Sequence, residues 1–343
     1  MVVEMRYMNN YEASHGRYEM MQYRACGGSG LKLPLMSFGL WHNFNVTSSY
    51  ENCRKLVLGA FDLGITHFDL ANNYGPVPGT SEKIFGEILK QDLKEHREEL
   101  LIATKAGYDM WVGPYGSGGS KKHLISSLDQ SLQRMGLDYV DIFYHHRPDA
   151  ETPIEETAEA LEQAVRQGKA LYIGISNYNA QDTERMEREL QKRNLHCLIH
   201  QVRFSMLERG NMDTVKKAQE LSIGTIGFCP LAQGLLTDKY LKGIPDDSRA
   251  ASGSRFFGRD KITKEKLEVV SILNDFAKNR GQTLAQLALI WNLQVNTSVI
   301  LGASRIEQIC ENVNALDNMQ LSKEELSQIQ AILSNYEEKE SKV

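Results

Sequence analysis

From Leu35 onward, short runs rich in Ile, Val, Leu, Phe and Tyr alternate with longer segments whose apolar residues recur at helical spacing. Eight short runs are legible, at residues 36–40, 67–70, 100–104, 140–144, 171–175, 197–201, 225–228 and 298–301. Strands separated by helix-length segments predict parallel pairing through crossover helices. The helical segments carry their own start and stop signals. Ser48 and Glu51 have capping-box spacing ahead of Cys53, Leu56, Val57, Ala60 and Phe61, and Gly64 is the stop. Thr152, Pro153 and Glu155 open a segment with Ile154, Ala158, Leu161 and Val165 on one face, closed by Gly168. Ser304 with Glu307, and Ser322 with Glu325, open two further helices, the second an extra one at the C-terminal end. No internal repeat or low-complexity linker divides the chain. The most economical fold is therefore α/β, a closed (β/α)8 TIM barrel over residues 23–343 behind a tail of residues 1–22. A doubly wound open sheet is the competing arrangement.

The glycines refine this picture. Gly27, Gly28 and Gly30, between Tyr23 and Leu33, predict a tight N-terminal β-hairpin that plugs the barrel floor. They are not a dinucleotide fingerprint, because Leu31, Lys32, Leu33 and Pro34 follow where that motif needs a helix. The run GPYGSGGS at 113–120 lacks the GK[ST] ending of a phosphate-binding loop and reads as a mobile loop over the barrel mouth.

Composition narrows the partners. With 41% apolar residues the chain has ample material for a core, which excludes a disordered protein. Lys and Arg number 39 against 44 Asp and Glu, so no strongly basic surface is predicted and nucleic acid is not an expected partner. The five cysteines are scattered, without a CxxC pair, which argues against a disulfide framework or a metal site and fits a reducing cytoplasm. The first residues include Glu4, Glu12 and Glu19 and lack the apolar core of a signal peptide. The uncharged stretch near 281–304 is interrupted by Gln286, Asn292, Gln294 and Asn296, so no membrane span is expected.

Barrel enzymes carry their chemistry at the C-terminal ends of the strands. Here the second strand ends in Asp69 and runs through DLANNYG to Tyr74, the third ends in Lys105, and the fourth ends in His145 and His146. An acid, a phenol, an ammonium and an imidazole are thus expected at one mouth. A charged Lys105, held so by Asp69, is expected to lower the pKa of Tyr74, and His146 to orient a carbonyl oxygen that takes the phenol proton. Each residue alone has a plain structural role open to it: a turn cap, a packed ring, a solvated amine, a hydrogen-bonded imidazole.

Taken together, these positions resemble the aldo-keto reductases. The motifs are GITHFDLANNYG at 64–75, TKAG around Lys105, LDYVDIFYHHRPD at 137–149, GISN at 174–177, PLAQGLLTDKY at 230–240 and LGASRIEQICENV at 301–313. Within that superfamily the likeness is to bacterial L-glyceraldehyde 3-phosphate reductases and to potassium-channel β-subunits. The resemblance implies reduction of small aldehydes or ketones such as glyceraldehyde 3-phosphate or methylglyoxal by NADPH, in a cytoplasmic protein that forms a homo-oligomer, a tetramer or octamer. The β-subunit likeness implies an alternative, a cofactor-binding regulatory subunit.

The resemblance also assigns residues. It makes Asp69, Tyr74, Lys105 and His146 a catalytic tetrad. It places Ser176, Asn177 and Gln201 on the nicotinamide amide, Phe228 on its face, and Trp41 at the mouth against both cofactor and substrate. Pro230, Leu231, Gln233 and Gly234, with Lys239 and Arg249, form a strap over the pyrophosphate. Gly302, Ser304 and Arg305 take the 2′-phosphate at a helix start, and Gln308, Glu311 and Asn312 take the adenosine. Trp111 and Arg147 join Trp41, Tyr74 and His146 on the substrate side. Arg147 stands where many members have tryptophan, which together with His145 favours a small polar or anionic substrate; pairing of Arg147 with Asp149 is the structural alternative.

Overall fold

The computed structural model describes residues 11–75, 77–246, 248–251 and 257–340. Eight parallel strands close into a barrel: β3 (Met36–Gly39), β4 (His67–Asp69), β5 (Leu101–Ala106), β6 (Val140–His145), β7 (Ala170–Ser176), β8 (Cys197–Arg203), β9 (Gly224–Phe228) and β10 (Ser298–Leu301). The ring order is β10-β3-β4-β5-β6-β7-β8-β9, so the first and last strands pair and the open-sheet alternative is excluded. All eight expected strands are present, with ends shifted by a residue or two.

Alternation along each strand sorts side chains into two layers. On β6, Ile142 and Tyr144 point into the barrel beside Ala103, Ile199 and Ile226, while Phe143 joins the larger layer beneath the helices. The helices that follow the strands in turn are α1 (Tyr50–Asp62), α2 (Thr80–Ile88), α3 (Lys121–Met135), α4 (Ile154–Arg166), α5 (Ala180–Gln191) and α6 (Met212–Glu220). Beyond β9 come α7 (Lys264–Asn279) and α8 (Leu284–Asn292), and beyond β10 come α9 (Ile306–Val313) and the expected C-terminal α10 (Lys323–Glu340). Among the described residues, no helix is long and apolar enough to cross a membrane.

Several helix starts differ from expectation. Ser49, not Ser48, caps α1, because the Ser48 hydroxyl accepts from Asn45 N at 3.2 Å and closes the preceding loop. Thr152 donates to Asp149 Oδ2 at 2.6 Å, leaving Pro153 in the cap position of α4. Ser322 and Glu325 do form the reciprocal cap of α10, at 2.7 and 3.1 Å. Thr283 and Gln286 form another at α8 that sequence reading passed over.

The floor is closed as predicted. Strands β1 (Tyr23–Ala25) and β2 (Lys32–Pro34) form the antiparallel hairpin, and Cys26 and Leu33 insert fully buried among the interior residues Ala103, Tyr144 and Leu198. Gly27 is required: its φ is +55°, and a β-carbon there would stand 2.3 Å from the Ser222 carbonyl oxygen. Residues 11–22, expected within a tail, pack on the barrel instead. Tyr11 donates to Asp62 Oδ1 at 2.8 Å, Arg17 pairs with Glu99 at 2.6 Å, and Met21 is buried.

Candidate active site

The mouth lies at the opposite end. Its central group is Lys105, fully buried, whose Nζ donates to Asp69 Oδ2 at 2.7 Å, to the Leu70 carbonyl at 2.7 Å and to Tyr74 Oη at 3.2 Å. Strand pairing fixes this contact. Asp69 is the last residue of β4 and pairs with Ala103, so Lys105 lies one inward-facing step further along β5. The backbone N of Asn72 bonds to the Lys105 carbonyl at 3.0 Å, which turns the chain back and brings Tyr74 over the amine.

Burial controls the electrostatics. It lowers Lys105 from its ordinary value, while the nearby Asp69 and Glu82 carboxylates push it back up. The phenol of Tyr74 lies well above its ordinary value, first because the barrel end desolvates it and second because Asp69 opposes a further negative charge. This corrects the expectation of a lowered phenol. The Lys105 charge is largely neutralised by Asp69 at 2.7 Å, and desolvation wins. The Tyr74 phenol is thus protonated at neutral pH.

His146 completes the group. It follows the last residue of β6, and its ring stands edge-on to Tyr74 with centroids 5.9 Å apart and to Tyr108 at 4.6 Å. Burial, then the charges of Lys105 and its neighbours, holds its pKa well below the ordinary value, so the imidazole is neutral. Its Nδ1 is buried without a hydrogen-bond partner among the described residues. His145, expected beside it at the mouth, faces the other way. Its Nδ1 meets Tyr178 Oη at 2.6 Å in the layer under the helices, because adjacent residues alternate sides at the end of β6.

The rim residues are partly brought in. The Trp41 indole lies 6.2 Å from the Tyr74 ring and 3.7 Å from His42. Arg147 does not pair with Asp149, whose carboxylate is taken by Gly119 N, Glu151 N and Thr152 Oγ1. Its Nε donates to the Gly107 carbonyl at 3.2 Å, and its guanidinium lies 4.7 Å over the Tyr108 ring. Trp111 packs on His123 at 5.2 Å. The loop 113–120 is tied by Met110 N to Gly116 O, Gly118 N to Gly107 O and Gly119 N to Asp149. Tyr108, between His146 and Arg147, was missed in the sequence; its place directly after the TKAG motif is the signal that marks it.

The cofactor assignments gather along one side of the mouth. Ser176 and Gln201 face each other across β7 and β8. Asn177 adopts a left-handed φ of +60°, and its amide donates to the His146 carbonyl at 3.0 Å and to Ser176 Oγ at 3.1 Å. Gln201 donates to Asp69 Oδ1 at 2.9 Å. Phe228, at the end of β9, is half-buried, with its ring packed against the barrel interior.

The strap then turns through three more left-handed residues, Cys229, Ala232 and Gln233, followed by Gly234 at +96°. Pro230 and Leu231 lie within this turn, Arg249 donates to Gln233 Oε1, and Lys239 is exposed without an ion pair among the described residues.

At the far end Ser304 and Arg305 do not present free backbone groups. Gln308 Oε1 accepts from Ser304 N at 2.9 Å, Ser304 Oγ at 3.2 Å and Arg305 N at 3.3 Å, and Arg305 takes the cap position expected for Ser304. Gly302 is exposed, Asn312 is buried, and the Glu311 carbonyl accepts from Gln286.

Comparison with known proteins identifies a family. The family model described as the Aldo/keto reductase family matches residues 35–334. An L-glyceraldehyde 3-phosphate reductase of Escherichia coli K12 is 54% identical over 327 residues, 92% of this chain and 94% of that protein. A probable voltage-gated potassium channel subunit beta of Arabidopsis thaliana is 36% identical over 307 residues, covering 87% and 92% of the two chains. A putative subunit of the same kind from Schizosaccharomyces pombe is 35% identical over 333 residues, covering 94% and 96%.

Proposed function

Since the chain belongs to the aldo/keto reductase family, we propose that this oxidoreductase reduces small aldehydes or ketones with NADPH, and that Tyr74 is the proton donor. The observation that carries the reading is the Tyr74–Lys105–Asp69 chain of contacts, at 3.2 and 2.7 Å, next to a neutral His146. When bound, NADPH supplies hydride from C4 of its nicotinamide to the carbonyl carbon. Ser176, Asn177, Gln201 and Phe228 would hold the nicotinamide end, and the fit is supported by the polar groups of β7 and β8 standing next to the tetrad. The strap with Lys239 and Arg249 would cover the pyrophosphate, and Arg305 would meet the 2′-phosphate.

The protein's part is positional and electrostatic. His146 orients the carbonyl oxygen beside Tyr74. As negative charge develops there, the Tyr74 hydroxyl donates its proton. An alkoxide is a far stronger base than a phenolate, so a raised phenol pKa does not block this transfer. The Lys105 ammonium then steadies the phenolate, and Asp69 keeps that amine charged while it is buried.

Arg147 selects the substrate. Its guanidinium is held over Tyr108 without an ion pair among the described residues, so it is available to a phosphate through paired hydrogen bonds. Glyceraldehyde 3-phosphate, or a similar phosphorylated aldehyde, is the preferred substrate, and uncharged methylglyoxal binds more weakly. The protein works in the cytoplasm as a homo-oligomer. The test is to follow loss of NADPH absorbance with phosphorylated and unphosphorylated glyceraldehyde and with methylglyoxal. Turnover with none of them, at concentrations that support turnover in a known reductase, sinks the reading and favours a regulatory subunit.

A further inference from the structure

We infer that Gln201 is a positioning residue for the Lys105–Asp69 pair, through a hydrogen bond that crosses the barrel. In the ring, β4 and β8 stand four steps apart in either direction, so they face each other across the barrel. Gln201 Nε2 spans that space to Asp69 Oδ1 at 2.9 Å, while Lys105 takes Oδ2 at 2.7 Å. Gln201 and Asp69 are both at most 3% exposed. Each carboxylate oxygen therefore has its own donor, one from a neighbouring strand and one from the opposite wall. A carboxylate held from two sides cannot rotate about its Cβ–Cγ bond without breaking both contacts, and Oδ2 stays aimed at the amine.

This bond has a second consequence for Gln201. A primary amide offers a donor group and an acceptor. With Nε2 engaged on Asp69, Oε1 is left to face the mouth chemistry, so the residue accepts from a carboxamide NH2 rather than donating to its carbonyl. The same side chain then joins the nicotinamide end of the site to the proton-donating end.

The groups that bear on the pair's titration are Tyr74 from the loop after β4, Tyr144 and His146 from β6 and its end, His67 on β4 and Glu82 on α2. None of these bonds to Asp69 Oδ1 among the described residues, so Gln201 can be changed without removing another donor from it.

The inference rests on the proposed role of Tyr74 and Lys105, and the experiment separates the two. In nucleotide-free protein isotope-labelled at lysine Cε, NMR follows the Lys105 signal against pH, assigned by its loss in Lys105→Met. In Gln201→Leu the carboxylate is free to turn Oδ2 away from the amine, and the Lys105 midpoint falls by about one pH unit, a tenfold change in its ionisation equilibrium. In the isosteric Gln201→Glu, a protonated side chain keeps the bond and an ionised one adds negative charge, so the midpoint stays at or above that of the parent. Kd for NADPH, read by fluorescence, is measured alongside.

A parent-like midpoint in Gln201→Leu overturns the inference, and so does an equal fall in both variants, which is what general loosening of the site produces. Gln201→Met serves as the apolar variant if Gln201→Leu melts early. A weakened Kd with an unmoved Lys105 midpoint assigns Gln201 to the cofactor alone and also overturns it. If the parent reduces no aldehyde, the functional reading fails while the lysine titration still decides the bond.

Discussion

The two ends of the barrel solve opposite problems with the same strands. At the floor, Leu33 and Cys26 fill the interior, and the left-handed Gly27 lies against the Ser222 carbonyl. At the mouth, β4 and β7 end in Asp69 and Ser176, β5 carries Lys105 one residue before its end, and four non-glycine residues, Asn177, Cys229, Ala232 and Gln233, accept left-handed backbone. Strain carried by non-glycine residues is costly, about 1–3 kcal/mol each, and persists where the surroundings fix it. At the floor, left-handed backbone falls on ordinary residues as well as glycine, Asn194 and Ser222 in addition to Gly27, and buried polar groups meet each other, His67 Nδ1 with Ser37 Oγ at 2.9 Å and Ser37 Oγ with Ser298 Oγ at 2.8 Å. What distinguishes the mouth is the fully buried Lys105–Asp69 ion pair, at 2.7 Å, where the floor's interior is filled by the plug.

The sharpest way to test that division is to remove chemistry from the mouth. Tyr74→Phe deletes one hydroxyl and is expected to lower kcat by about 10²- to 10⁴-fold while Kd for NADPH and the melting temperature stay near the parent's. Lys105→Met should fall into the same range. Retained turnover in Tyr74→Phe removes this residue from the acid role and leaves the mouth without its donor.

The converse test belongs to the floor. Gly27→Ala puts a β-carbon 2.3 Å from a backbone oxygen at φ +55°, so the hairpin has to shift. An expected loss of about 1–3 kcal/mol should appear in urea unfolding, with kcat of the folded fraction unchanged. If kcat falls as steeply as stability, the two ends are not separable.

Arg147→Ala probes the rim. A charged hydrogen bond contributes about 1.5–3 kcal/mol, so the kcat/KM ratio of phosphorylated to unphosphorylated glyceraldehyde should drop by about 10- to 100-fold. Equal losses on both substrates would make Arg147 a packing partner of Tyr108 only.

How far each end was legible follows from the range of the signals. The hairpin, the eight strands and the approach of Asp69, Tyr74 and Lys105 are set by local spacing: glycines in a turn, period-two alternation, and strand ends in consecutive units. The Gln201 contact to Asp69 joins residues 132 positions apart across the barrel, and no spacing in the chain reveals it. The outward turn of His145 was readable from alternation beside the inward Tyr144 and was passed over. The direction of the Tyr74 shift was not readable, because it depends on how completely the closed barrel removes water from the phenol. The choice of Ser49 over Ser48, and Gln308's hold on Ser304 and Arg305, turn on which nearby backbone donor each side chain finds first.

The smallest expected effect separates the ends by pH. Arg17, Tyr18 and His96 surround Glu99, beside the start of β5 at the floor end. Partial burial pushes the Glu99 carboxyl up, but hydrogen bonds from His96, Tyr18 and Arg17, with the Arg17 charge, outweigh it and bring the pKa down to about 2. The folded value lies below the unfolded one, near the ordinary 4.3. Its stabilisation is therefore complete above about pH 4.5 and is lost as pH falls through about 2. Because Glu99 is still partly solvated, its side chain 31% exposed, the contribution is small. Arg17→Ala should flatten the loss of stability between about pH 4.5 and 2 and leave the melting temperature at neutral pH only slightly lower. The pH dependence of turnover, which the proposed roles place on Tyr74, Lys105 and His146, should not move at all. A parallel shift of the activity profile in Arg17→Ala would mean that the docked segment of residues 11–22 is coupled through the barrel to the mouth.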